Sequence, residues 1–385
     1  MLVTEVDWRS LTRYGGAVVV VICAVGGWWF VTLPVPGGPV TTHFSDVRPP
    51  VSPERCATCH LKQSLSLQGA PHTITLQRAS SDQVLQAFGG LTFRDPRAHG
   101  AVEQFEVRDH QLWRRSPALP DPVLIDWIFG SGQHARTPVS VLTDTRGGVE
   151  VVEHGLSWYP NAGIDLTLGS SDRSSLKPGW HGIGKRLNSD DAADCLGCHT
   201  SWLPSVDGRL DLSRIQPGVH CSRCHQEGEA HLQTANVGSP ELARPRWKAL
   251  SPLDSIRRCG ECHRRDDQMT PYELRTSNQL LVRFAPVGIS QSRCFTEQDQ
   301  LVPPDTGGKL RLDCITCHDP HRAAETSPEF YSARCLACHT GQAGRAAGCS
   351  DKDTSQNCLD CHMPKIEVQP HLRFTDHWIR IRRGE

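Results

Sequence analysis

The chain is short of the residues that usually build a protein core. Of its 385 positions, 38 % are apolar and 6 % aromatic, with only four tyrosines and three methionines. A chain of this length that buried ordinary side chains alone would need more apolar material, so something else must fill part of the interior. An excess of charge is missing too. The 41 Lys and Arg against 42 Asp and Glu leave a formal charge of -1, which excludes the basic surface that a nucleic-acid partner requires. Long apolar runs are absent with one exception, residues 15 to 35, "GGAVVVVICAVGGWWFVTLPV", 21 positions without a charge.

Cysteine and histidine, in contrast, are abundant, at 17 and 19 residues. Fourteen of the cysteines form seven copies of Cys-x-x-Cys-His: Cys56-Cys59-His60, Cys195-Cys198-His199, Cys221-Cys224-His225, Cys259-Cys262-His263, Cys314-Cys317-His318, Cys335-Cys338-His339 and Cys358-Cys361-His362. Two thiols three apart can chelate zinc, cycle as a disulfide or form two thioethers to haem vinyl groups. Zinc sites seldom place a histidine directly behind every cysteine pair. Haem c does, because the two thioethers fix one porphyrin edge and leave the next imidazole under the iron. The chain is therefore expected to carry seven covalently attached haem c groups, whose fourteen propionates, two per haem, would make the loaded protein acidic.

The uncharged run predicts a transmembrane helix over 14–35, since its length exceeds that of a signal peptide's apolar stretch. Trp28, Trp29 and Phe30 sit where an interfacial belt would lie, and Arg9 and Arg13 precede a gap without Lys or Arg up to Arg48, which puts residues 1–13 in the cytoplasm. The haem-bearing remainder is then periplasmic, outside an inner membrane that the helix contacts, and a cleaved signal is the alternative. Cys23 reads as an apolar filler of this helix, with Ile22 before it spoiling a lipid-attachment site.

Residues 36–54, rich in Pro and Gly, read as a linker. Residues 55–194 read as the first haem plus a mixed α/β module, with a small antiparallel sheet in the 61–190 region: "VSVLTDTRGGVEVVEHGLSWY" (139–159) carries a hairpin signal and "FEVRDHQLWRR" (105–115) adds a strand. Residues 195–385 read as a six-haem domain, mostly α and irregular, folded around its haems. Six motifs between Cys195 and His362 leave 28 residues per haem, and first-cysteine spacings of 26, 38, 55, 21 and 23 residues rule out a tandem repeat. The longest gap holds a Pro-Pro-Asp-Thr-Gly-Gly surface loop at 303–308.

Methionine opposite the proximal histidine would raise a haem's potential, and a second histidine keeps it low. Of the three methionines, Met1 starts the chain, Met363 is tethered beside a proximal histidine, and Met269 alone is free to ligate, while twelve histidines lie outside the motifs. Bis-histidine, low-potential haems are the economical reading. His321, three residues after His318, cannot travel round its own macrocycle and must serve a neighbouring haem or nothing, and His231, six after His225, is in the same position. His72 could reach a neighbour or its own iron, and His377 would have to fold back. His134 and His181, flanked by glycine, are further distal candidates. His220 and His371 read rather as surface residues, as do His43, His99, His110 and His154.

"CHDPH" (317–321), "SRCF" (292–295), "CLDCHMPK" (358–365) and "FTDHWIR" (374–380) together resemble the multihaem c-type cytochromes of the doubled CxxCH-motif group. The similarity is specific over about 284–380 and weaker over 56–72, 130–138 and 195–231. It implies His321 and His377 as distal ligands of neighbouring haems. The CH-x-x-G-x-x-H pattern implies His231, although Gln226 and Glu227 stand where the family has Gly-Pro. Cys294 and Cys349, left over in the exported part, are candidates for a disulfide in an oxidising compartment. The function expected is electron transfer between a membrane donor and an extracytoplasmic acceptor protein. A reductase or oxidase of a small nitrogen or sulfur compound with one open iron is the first alternative, although no catalytic constellation accompanies the motifs. An electron-transfer subunit of a larger respiratory or photosynthetic complex is the second.

Overall fold

A computed structural model describes residues 19–24, 27–32, 50–143, 148–170, 177–225, 228–236, 247, 250–298, 311–339 and 357–382. At the N-terminus, β1 (Val19–Ala24) and β2 (Gly27–Thr32) form an antiparallel pair in which Val19 faces Thr32 and Ala24 faces Gly27. Among the described residues no helix is long and apolar enough to cross a membrane. The transmembrane helix expected over 14–35 is thus corrected to a hairpin. Its two arms are rich in β-branched and aromatic residues, Val19 to Ile22 and Trp28 to Thr32, and Gly26-Gly27 interrupts the run. Charge-free length alone does not separate such a sequence from a helix.

After α1 (Pro53–Ala57) and α2 (Leu61–Leu67) comes a β-rich module: β3 (Leu76–Arg78), α3 (Asp82–Phe88), β4 (Thr92–Asp95), β5 (Ala101–Arg108), β6 (Gln111–Arg115), β7 (Val123–Ile125), β8 (Trp127–Phe129), β9 (Thr137–Thr143), β10 (Val149–His154), β11 (Leu156–Tyr159) and β12 (Gly163–Leu166). It continues through α4 (Trp180–Ile183), β13 (Gly184–Leu187) and α5 (Ser189–His199). Two antiparallel sheets dominate, one ordered β13-β10-β9-β8-β3 and the other β4-β5-β6-β7, with β11 and β12 as a further pair. The expected hairpin is β9 and β10, with Val149 opposite Thr143; its turn lies outside the described residues. "FEVRDHQLWRR" is not one strand but the β5–β6 hairpin, with Arg108 opposite Gln111. Asp109 and His110 turn the chain with φ of 50° and 58°, the positive pair that a two-residue type I′ turn requires.

Two small pairs follow, β14 (Thr200–Trp202) with β17 (Gln216–Pro217) and β15 (Ser205–Val206) with β16 (Arg209–Leu210). The rest is short helices: α6 (Cys221–Cys224), α7 (Gly228–Asn236), α8 (Pro252–His263), α9 (Ala285–Ser290), α10 (Arg293–Thr296), α11 (Cys314–Cys317), α12 (Pro328–Leu336) and α13 (Cys358–His362), closed by the hairpin of β18 (Lys365–Gln369) and β19 (Leu372–Thr375). The expectation of a mostly α and irregular chain around a haem-built core, with only a small β module, is therefore corrected. Seven sheets are present among the described residues, and the β-rich module has a core of its own side chains. Among the described residues, 26 of the 32 buried apolar ones lie at or before Ile215, and those beyond are Ile256, Leu281, Val282, Val287, Phe295 and Leu372. One cluster joins Trp127, Phe129, Val139 and Val151 of the five-stranded sheet to Ala192 and Leu196 of α5. The helix that ends in His199 is thereby fixed to the sheet.

His154, expected on the surface, is fully buried. Strand alternation explains this, since His154 shares the inward face of β10 with Val152. Arg114 Nη1 donates to His154 Nδ1 at 3.3 Å, and His154 Nε2 lies 2.9 Å from Ser140 Oγ, whose hydroxyl donates to the Leu124 carbonyl. These partners select a neutral ring protonated at Nε2. The same Arg114 forms a buried ion pair with Glu103 at 3.0 Å. Burial, aided by the Arg114 charge, holds the His154 imidazole well below its usual range. A group whose folded pKa is depressed binds its proton mainly when unfolded, so its contribution is complete above the unfolded value of about 6.5 and is lost as pH falls below it. The thermal midpoint of the module is expected to drop between pH 7 and pH 5, with a free-energy slope of up to ~1.4 kcal/mol per pH unit. Comparison with His154→Gln checks this: an unchanged slope in the variant would refute the assignment.

Candidate haem-binding site

Each described motif sits on a single helical turn, for a local reason. Residues at i and i+3 share one face of a helix, so both thiols project together. The following histidine closes the turn with its backbone N–H bonded to the first cysteine's carbonyl, at 2.9 Å for His60, 2.8 Å for His225, 2.9 Å for His318 and 2.9 Å for His339. Capping residues start these turns. Ser251 accepts from Asp254 N ahead of Pro252, Asn188 from Asp191 N, Ser327 from Phe330 N and Asn357 from Leu359 N. Asp313, with its side chain buried, caps α11 and pairs with Arg311 at 2.7 Å.

The histidines outside the motifs meet those inside them in four pairs. His60 and His231 have ring centroids 5.9 Å apart with planes at 32°, and His72 and His263 stand 6.3 Å apart at 74°. His225 and His321 are 6.3 Å apart at 10°, and His318 and His377 are 6.3 Å apart at 42°. Each pair joins one motif histidine to one non-motif histidine of another chain segment, and the spacing is too wide for direct stacking. Two imidazoles on opposite sides of one metal, each with a metal–nitrogen bond of about 2 Å and a ring centre about 1 Å further, stand roughly 6 Å apart. The four pairs fit an iron bound between them.

Hydrogen bonds at the rings point the same way. His199 Nδ1 donates to the Thr75 carbonyl at 2.7 Å, His377 Nδ1 to the Thr375 carbonyl at 2.9 Å, and His362 Nδ1 to the Arg380 carbonyl at 3.2 Å. A proton held on Nδ1 leaves the Nε2 lone pair for a metal. His321 differs in that its Nδ1 bonds a carboxylate, Asp319 Oδ1, at 3.1 Å. His72 is bonded to the Pro320 carbonyl, so "CHDPH" supports two of these rings. Burial foremost, then crowding by His72, His377, His199 and His318, brings His263 down to about 4. That imidazole is neutral, the form that ligates, throughout the physiological range.

The remaining expected positions are placed differently. His134 lies with its ring 4.6 Å from Phe374, and burial followed by nearby Lys365 lowers its pKa. His181 is exposed on α4. His371 bonds Asp165 at 3.1 Å and lies 5.7 Å from the Tyr159 ring. Cys294 is a half-buried free thiol, and its expected partner Cys349 lies outside the described residues. Asp319 and Thr75 were not among the expected site residues. The carboxylate two positions before His321 could have been noticed in the sequence, whereas a backbone carbonyl at Thr75 leaves no mark there.

The thiols of different motifs also touch. Cys56 lies beside Cys221, Cys198 beside Cys262, Cys259 beside Cys314 and Cys335 beside Cys358. The neighbouring Cys198 thiol and Arg223 guanidinium bring Cys262 down to about 7, against burial, which raises it.

No family model and no curated protein matches the chain. Among solved structures, the outer cell wall cytochrome OcwA is similar, with a TM-score of 0.52 at 15 % identity over 86 % of this chain and 79 % of that one. The likeness is one of fold.

Proposed function

We propose that this chain is a c-type cytochrome that carries a haem on each of its seven cysteine pairs and passes electrons between redox partner proteins. The four histidine pairs at 5.9 to 6.3 Å carry this reading, and the fold shared with OcwA supports it. Bound haem supplies one-electron chemistry at iron. The chain's own residues do the rest. Cys56 and Cys59, Cys195 and Cys198, Cys221 and Cys224, Cys259 and Cys262, Cys314 and Cys317, Cys335 and Cys338, and Cys358 and Cys361 form the thioethers. His60, His199, His225, His263, His318, His339 and His362 are the proximal ligands, and His231, His72, His321 and His377 are the distal ligands for His60, His263, His225 and His318. Ligation by two neutral imidazoles keeps potentials low, and the Nδ1–H bonds to carbonyls at His199, His362 and His377 hold those rings in the ligating tautomer. The reading of covalently attached haem c supports an extracytoplasmic location for the chain.

The test is a haem count with redox and spin measurements on the loaded protein. Seven haems per chain, low-spin ferric signals and low midpoint potentials are expected. A count below seven would sink the reading as stated, and a high-spin ferric signal without added ligand would favour a small-molecule reductase.

Asp319 gives a narrower prediction. A carboxylate on Nδ1 makes the His321 imidazole more electron-rich and favours the ferric state. Asp319→Asn is expected to raise the midpoint of the His225/His321 haem by up to about 60 mV, a tenfold change in a one-electron equilibrium. Potentiometric titration followed by EPR reads this, and an unchanged set of midpoints would contradict it.

A further inference from the structure

Motif order along the chain is not motif order in space. The Cys259–Cys262–His263 motif at the end of α8 meets three others. From the second motif, the Cys198 thiol donates to the Glu261 carbonyl at 3.8 Å and lies beside Cys262. From the third, Arg223, buried between Cys221 and Cys224, donates to Cys262 Sγ at 3.6 Å and pairs with Glu261 at 3.6 Å. From the fifth, α11 packs on α8 and its Cys314 thiol lies beside Cys259. The second and third motifs share Glu261 and Cys262, Cys198 on the Glu261 carbonyl and Arg223 on the Glu261 carboxylate and Cys262 Sγ, while the fifth meets α8 beside Cys259, so all three contacts exist together.

Beyond this point the third and fifth stretches also meet directly, His321 facing His225 with ring centroids 6.3 Å apart, and the remaining contacts run singly. The first motif meets the third through Cys56 and Cys221 and the packing of α1 on α6. The fifth leads to the sixth by the packing of α11 on α12, with the His318 ring 5.6 Å from Tyr331. The sixth meets the seventh through α12 and α13, where Cys358 N bonds Ser332 Oγ at 3.3 Å.

We propose that the Cys259–Cys262–His263 site is a three-way junction of the electron path, joining one arm through the third motif to the first, one through the fifth to the sixth and seventh, and a one-site branch at the second. The inference rests on the reading of the motifs as haem sites. Each thioether fixes one edge of its porphyrin, so thiols in contact bring edges together, and each hop moves one electron from a ferrous iron to a neighbouring ferric one. A junction lets electrons entering at one end leave by either of two others. A single file cannot.

The test uses the full haem-loaded chain. Cys259→Ala with Cys262→Ala removes that one haem, so the count falls from seven to six, and spin-relaxation EPR of the ferric protein reports how many signals lose a paramagnetic neighbour. Slower relaxation of three signals is expected, and slowing of two or fewer overturns the junction. Should the double variant fail to fold, a density map of the unaltered loaded protein decides. Three porphyrins in contact with the one on Cys259 and Cys262 are expected, and two or fewer overturn the proposal. Seven haems in another arrangement would defeat the junction alone, whereas empty cysteine pairs would defeat the cytochrome reading with it.

Discussion

Produced without haem, the chain will retain the β-rich module and lose the remainder. Limited proteolysis of such apoprotein should leave a resistant fragment ending near Ile215, while residues from α6 onward are digested, and helical circular dichroism should fall sharply against the loaded form. The reason lies in how buried apolar side chains are distributed. The module up to Ile215 contains 26 of the 32 and has a continuous core in each of its main sheets. The described residues of the later part add six, and α11, α12 and α13 contribute no buried residue at all. Helices of four to nine residues are not stable alone in water. Where side chains do not supply the packing, the covalently held group must, and its binding free energy becomes folding free energy. Equal protease resistance of both parts in the apoprotein would refute this account.

The second large effect is at His377. His377→Met in the loaded protein is expected to replace a His/His iron with a His/Met one at His318. Its midpoint should rise by a few hundred millivolts, within the range of about 0.8 V that axial ligands span. Since about 59 mV is a tenfold change for one electron, 300 mV is a factor of about 10⁵. That haem would become an electron trap. The segment that presents His377 is firmly held. Asp376 is buried and accepts from Arg380 Nη1 and Trp378 N, each at 2.8 Å, and from Arg382. Ser292 donates to the His377 carbonyl at 3.2 Å and accepts from Ile379 N at 2.8 Å. Gly288 lies so close that an added Cβ would stand 2.7 Å from Trp378 N. Gly288→Ala should therefore push this ligand away and turn one low-spin signal high-spin. Potentiometry with EPR reads both variants, and a His377→Met protein with unchanged midpoints and spin states would remove His377 from the ligand set.

What could be read from the sequence is local chemistry. A cysteine pair with its histidine occupies one helical turn, so the expected attachment and proximal ligation, like the caps at Asp313 and Asn357, involve residues within a few positions of one another. The β9–β10 hairpin was visible for the same reason. The scarcity of apolar residues gave the expectation of a haem-filled interior, but it could not say where the apolar side chains would concentrate. They are gathered into the sheets before Ile215, where both faces of β8, β9 and β10 are covered, Val151 packing in one cluster and Val152 in another on the face that also buries His154. The N-terminal run shows the limit most plainly: an uncharged stretch rich in β-branched residues suits a membrane helix by length and a hairpin by propensity.

Which histidine faces which was decided only by tertiary structure. The argument that His321 must serve another motif follows from three residues of chain, but its meeting with His225, 96 positions away, comes from packing that leaves no local mark. The same is true of His72 and His263, and of the three motifs gathered at α8. Spacing along a chain determines what each turn can hold. Only the fold determines which turns stand side by side, because those contacts depend on long-range burial rather than on sequence separation.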